Sequence, residues 1–153
     1  MNKWIKLIAC ILICQIAGVV GSVFTTASIT TWYEQELIKP DIRPPNWAFG
    51  PVWITLYILM GISLYWILDK KKIKIPLILF SIQLVLNAIW SIIFFGLQNP
   101  FYAFIEIIIL WIMILLTIIS FYRVYRKAGL ILLPYIIWVT AAMILNYYIW
   151  ILN

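Results

Sequence analysis

Histidine is absent from this chain, and acid is scarce: five Asp and Glu stand against eleven Lys and Arg. Without histidine the commonest proton shuttle, metal ligand and haem ligand is missing. No hydrolase triad, phosphate-cradling glycine loop, zinc signature or dinucleotide fingerprint takes its place. Cysteine is confined to Cys10 and Cys14. An i, i+4 pair on one helix face has poor disulfide geometry, and two thiols alone lack the usual partners of a metal site. No metal is expected, and the two thiols read as small packing residues. Charged residues of both signs amount to only 10% of the chain.

What remains is apolar. Hydrophobic residues make up 66% of the 153, well above the roughly one half of a soluble domain. A soluble fold of this length has no interior large enough for them, so lipid must be the solvent. Apolar runs of about 20 residues, the length a spanning helix needs, fall at roughly 6–28, 47–68, 76–97, 101–122 and 130–152. Strand-like alternation is absent, which argues against a β-barrel. The expected fold is an all-α integral membrane protein, one domain over residues 1–153, with five transmembrane helices in a bundle. The first run follows Lys3 and Lys6 as a signal peptide would. From Leu7 to Phe24, however, it exceeds a secretory core, and no A-x-A-like site closes it, so it is read as a retained helix.

Five crossings place Lys3, Lys6, Lys70, Lys71, Lys72, Lys74, Arg123, Arg126 and Lys127 on one side, and only Lys39 and Arg43 on the other. The positive-inside rule then predicts a multi-pass protein of the cell membrane, N-terminus cytoplasmic and C-terminus outside. The net charge of +6 is thereby accounted for as a topology signal, with no nucleic-acid partner.

The connections are uneven. ITTWYEQELIKPDIRPPN, residues 29–46, holds Glu34, Glu36 and Asp41 and three of the seven prolines. A connection of that length predicts a lid or binding loop over a cavity, with Pro44 and Pro45 stiffening its exit and holding Asn46 extended. The other links are short, so consecutive helices are expected to lie antiparallel and adjacent. Asn99 and Pro100 predict an N-cap and first helical position, and Pro76 another first position. In AGVVGSVFTTAS, residues 17–28, small residues recur four apart, a packing seam that also leaves room for one thin wall of a cavity.

Polar and aromatic residues recur at helical spacing on three helices. Asn87, Trp90, Ser91 and Phe94 share one face of the third, with Trp53 and Tyr57 beside Phe49, Gly50 and Gly61 on the second. Tyr135, Trp138, Ala142 and Leu145 stripe the fifth. Taken singly, each stripe reads as an aromatic helix interface. Yet Trp53, Trp90 and Trp138 lie away from the interfacial belt, and each brings an N–H that needs a partner in an apolar medium. An apolar pocket with a few polar handles suits a flat hydrophobic ligand. Glu106, inside the fourth helix, has two readings: a structural hydrogen bond, or a proton- or ligand-coupled role.

These residues resemble a known family. WY…KP…PPNWAFGPVWITLYILMG (32–61), LNAIWSIIFFG (86–96) and PYIIWVTAAMILNYYIW (134–150) are similar, in order and interval, to motifs of the translocator protein or tryptophan-rich sensory protein family, and suggest a bacterial member. The resemblance implies a five-helix bundle whose cavity opens toward the long first loop. It also implies binding of porphyrins, isoquinoline-carboxamide and benzodiazepine drugs. Light- and oxygen-dependent breakdown of protoporphyrin IX is implied too, with no tightly bound cofactor and porphyrin as ligand or substrate. Homodimers are common among bacterial members. Carried over residue by residue, the family's pocket falls on Trp53, Asn87, Trp90, Trp138, Ala142 and Leu145. Trp53 and Trp138 would be tied to the porphyrin chemistry; the faces above add Phe49, Tyr57, Ser91 and Phe94, and the first connection adds Tyr33. Trp150 is followed by Ile-Leu-Asn rather than the basic residue of the animal sterol motif, which argues against specific sterol recognition. Two other readings stay open: a small proton-coupled transporter using Glu106, and a stress-signalling membrane scaffold.

Overall fold

The computed structural model describes residues 2–153, and the regular elements among them are all helical. Five stretches are long and apolar enough to cross a membrane: Lys3–Glu36, Asn46–Leu68, Lys74–Gly96, Pro100–Val124 and Arg126–Leu152. The elements are α1 (Lys3–Ser28), α2 (Asn46–Leu68), α3 (Lys74–Ser91), α4 (Pro100–Val124), the short α5 (Arg126–Leu130) and α6 (Leu133–Leu152).

Two spans end in wide helical turns, Ile29–Glu36 after α1 and Ile92–Gly96 after α3. The first of these shortens the long connection to residues 37–45. Its free carbonyls meet a cation: Lys39 Nζ donates to the carbonyls of Tyr33 at 2.7 Å, Leu37 at 3.1 Å and Glu34 at 3.2 Å. A positive charge at a helix C-terminus is favourably placed. Trp32 and Tyr33 are buried against Phe94 and Phe95.

Asn46 is helical, contrary to the extended conformation expected of it; Pro45 is the extended residue, at φ −64° and ψ 148°. The restriction that proline imposes falls on the residue before it, and Trp47 follows Asn46. Asn46 Nδ2 instead donates to Glu34 Oε2 at 2.9 Å, tying the start of α2 to the end of the first span. Asn99 caps α4 as expected, accepting from the Tyr102 N–H at 3.0 Å. Pro76 stands two residues inside α3 rather than at its first position.

The helices do not pack simply in chain order. α1 lies against both α2 and α3, and α4 against α3 and α6, whereas α2 and α3 make little direct backbone contact despite their short link. Tyr57 and Asn87 fill the space between them and are joined by a hydrogen bond from the tyrosine hydroxyl to the amide oxygen. At the basic end, Lys6 pairs with Asp69, so α1 begins where α2 ends. There α1 and α2 are in backbone contact: a Cβ added to Gly61 would lie 2.5 Å from Ile11 Cα.

Candidate functional site: an aromatic cleft between the first two spans

The α1–α2 seam that is closed at Gly61 opens further along. Its last closed rung is Gln15, whose Nε2 donates to the Ile54 carbonyl at 3.1 Å. Beyond it lies a cavity of about 540 Å³, within the usual range for small-molecule sites. Val19, Ser22 and Thr26 on α1, with Gly50 and Ile54 on α2, are exposed and form its mouth. Val19 at 63% and Ile54 at 55% exposure face the surface that lipid covers in a spanning bundle. The back wall comes from the opposite helices: Trp90 and Ser91 of α3, Phe95 of the wide turn, and Trp138 and Ala142 of α6.

Rings dominate the inner walls. Trp53 stacks on Tyr57 at 5.7 Å between centroids and meets Trp138 edge-to-face at 6.5 Å. Phe49 closes on Trp138 at 6.1 Å. Small residues line the α1 side and let its neighbours pack close: a Cβ added to Gly18 would be 2.6 Å from the Tyr57 ring, and one on Gly21 would be 3.0 Å from Ser91 Oγ. The small-residue seam of α1 therefore serves as one wall of the cavity.

Behind the lining runs a buried polar network joining α2, α3 and α6. The Tyr57 hydroxyl donates to Asn87 Oδ1, Asn87 Nδ2 donates to the Tyr135 hydroxyl at 2.8 Å, and that hydroxyl donates to Gln83 Oε1 at 2.8 Å. Each member has its partner, which makes the floor beneath Trp53 rigid. Replacing Asn87 with leucine should cost about 1–3 kcal/mol, because the Tyr57 hydroxyl is then buried without an acceptor. A detergent melt of the variant beside the wild type measures it, and an unchanged midpoint contradicts the assignment.

Phe49, Trp53, Tyr57, Trp90, Ser91, Trp138 and Ala142, expected from the sequence as ligand contacts, line this one cavity. Tyr33, Asn87, Phe94 and Leu145 do not: they stand behind the lining, in the network or in the cluster around Trp32. Phe94 shows why. Leu97 N–H donates to the Ile92 carbonyl five residues back, at 2.8 Å. That wide turn adds a residue and breaks the α-helical spacing from Asn87, so Phe95 reaches the cavity and Phe94 stacks on Trp90 at 5.0 Å. Of residues 29–46, only Ile29 and Asn46 border the cavity.

A model described as the TspO/MBR family matches residues 10–151. The chain belongs to that family. It is 44% identical to the tryptophan-rich protein TspO of Chlorobaculum tepidum, over all of this chain and 99% of the relative. It is 46% identical to the protein of that name from Archaeoglobus fulgidus, over 97% of each. Identity to the translocator protein of Homo sapiens is 33%, over 96% of this chain and 89% of the relative.

In this TspO/MBR member the tryptophans are not equivalent. Trp90 Nε1 donates to Asn146 Oδ1 at 3.0 Å, and Asn146 Nδ2 in turn donates to the Pro100 carbonyl at 2.8 Å. Its N–H is thus used internally, by a residue the sequence marks only through LNYYIW. Trp138 Nε1 is enclosed and has no partner among the described residues. Glu106 is 7% exposed, and neither oxygen is hydrogen-bonded among the described residues, so the structural bond, one of its two readings, is not found there. It is not among the residues that line the cleft.

Proposed function

We propose that this chain binds a flat, hydrophobic tetrapyrrole such as protoporphyrin IX in the α1–α2 cleft. The observation that carries the reading is the convergence of Trp53, Tyr57, Phe49 and Trp138 on one cavity bordered by small residues. Ring walls give a planar aromatic ligand stacking surface. A small rotation of Trp138 would turn its enclosed, unpartnered N–H to a ligand carbonyl or carboxylate, relieving the cost of a buried unpaired donor. Ile29 and Asn46 border the cavity at its end beside the first connection, where the polar edge of such a ligand would reach the interface rather than lipid. Isoquinoline-carboxamide and benzodiazepine compounds, apolar rings with a carbonyl, suit the same walls.

Under light, bound porphyrin would meet dioxygen, with Trp53 and Trp138 as redox or quenching partners. Phenylalanine at either position should slow light-driven loss of porphyrin absorbance while affinity in the dark stays within about threefold, or ~0.7 kcal/mol. Unchanged decay in both variants removes the tryptophans from the chemistry. A basic, inward-facing end at Lys70–Lys74 follows from the charge distribution; cysteine labelling of intact cells tests it. Association into homodimers, also proposed, is read by the mass of the detergent-solubilised protein.

Proton-coupled transport has one observation in its favour, the buried Glu106, unpartnered among the described residues. Since Glu106 does not border the cleft, Glu106→Gln should leave porphyrin affinity unaltered. Proton-linked flux in proteoliposomes that the same substitution abolishes would establish transport instead.

A further inference from the structure

A second cavity, of about 370 Å³, lies where α4 begins and α6 ends, and it shares no lining residue with the cleft. The cluster containing Trp32, Phe95 and Ile149 separates the two. Trp32, Phe101 and Trp150 line it together with Gln98, Asn99 and Asn153, and no ionisable side chain is among the lining residues. Aromatic rings at this level are usually an outward-facing belt. Here Trp32 is only 8% exposed and forms part of a concave wall.

The amides differ in what they offer. Asn153 is bound on both sides, accepting from Ile38 N–H and donating to the carbonyls of Ile38 and Ile149. Asn99 spends its oxygen on the α4 cap, which leaves its Nδ2 for a partner, and the Gln98 amide supplies both a donor and an acceptor. A phosphate would call for Lys or Arg, which the lining lacks. Ring faces with neutral amides at the edge suit an uncharged, hydroxyl-rich ring, whose C–H face stacks while its hydroxyls exchange hydrogen bonds with the amides.

Position selects the source. Pro100 opens one span and Leu152 closes another, so the cavity sits at headgroup depth. We propose that it holds the uncharged sugar headgroup of a membrane glycolipid. This is independent of what the cleft binds.

Native mass spectrometry of the full chain, released from phosphatidylcholine nanodiscs containing glucosyl-diacylglycerol, tests it. The wild type should retain one glucolipid per chain in preference to phosphatidylcholine or diacylglycerol. Trp150→Ala and Asn99→Asp should each lower that occupancy at least about fivefold, or ~1 kcal/mol. The aspartate keeps the oxygen that caps α4 and exchanges the Nδ2 donor for a charged acceptor, so its loss of lipid is separable from misfolding; an unchanged melting midpoint verifies that. Saturable displacement by free methyl glucoside would keep the sugar chemistry and show that a soluble source also serves. Equal retention of all lipids, preference for phosphatidylglycerol, or undiminished occupancy in both variants would overturn the proposal.

Discussion

Gly61→Val is expected to leave little folded protein in detergent, a larger stability loss than that of Asn87→Leu or Gly18→Ala. The Cβ of any residue at this position would lie 2.5 Å from Ile11 Cα and 2.8 Å from its nitrogen. Both are backbone atoms, so no rotamer change relieves the clash; α1 and α2 must separate. Overpacking of a tight interface typically costs about 1–3 kcal/mol, and a backbone–backbone clash belongs at or above the top of that range. Ile11→Ala removes a crowded side-chain atom but leaves the backbone atoms in place, so it should rescue Gly61→Val only in part. Gly18→Ala is milder, because its added Cβ meets the Tyr57 ring at 2.6 Å rather than backbone. Its effect should appear as a disturbed cleft and a weakened Tyr57–Asn87 bond. Thermal melts of the variants measure this order, and a Gly61→Val protein as stable as the wild type would contradict the close approach.

Ala142→Phe is expected to abolish high-affinity porphyrin binding while the bundle still folds. Ala142 is half-buried on α6 and borders the cavity, so a larger side chain has existing space to enter. A benzyl group there occupies volume that the ligand's ring system needs. Affinity should fall at least about tenfold, equal to ~1.4 kcal/mol. An unaltered melting midpoint separates blocking from unfolding. Affinity equal to the wild type's would move the ligand out of the cleft.

Much of the bundle and of its cleft is legible in the residues. Span number follows from composition, because a 66% hydrophobic chain with five apolar runs has little alternative in lipid. The residues of PPNWAFGPVW and PYIIWVTAAM that reach the cleft do so by α-helical period alone. Where the backbone leaves that period, the reading fails: the wide turn at Ile92–Gly96 exchanges Phe94 for Phe95, and nothing in IIFFG announces it. The continuation of the first span to Glu36 is hidden in a similar way, since ITTWYEQE is polar enough to pass for loop. Its support comes from outside the run, in the Lys39 ammonium on three carbonyls. Asn146 escapes notice as the partner of Trp90 because pairing across helices depends on rotation about each axis, which a one-dimensional pattern does not specify.

That the α1–α2 cleft is a porphyrin site is tested most directly by titrating purified protein with protoporphyrin IX in the dark, reading tryptophan fluorescence, beside Ala142→Phe. Saturable quenching in the wild type, lost in the variant, is the expected result, with Trp53 and Trp138 accounting for much of the quenched emission. Linear quenching without saturation, identical in the two proteins, would mean that porphyrin merely partitions into detergent and would contradict a site in the cleft.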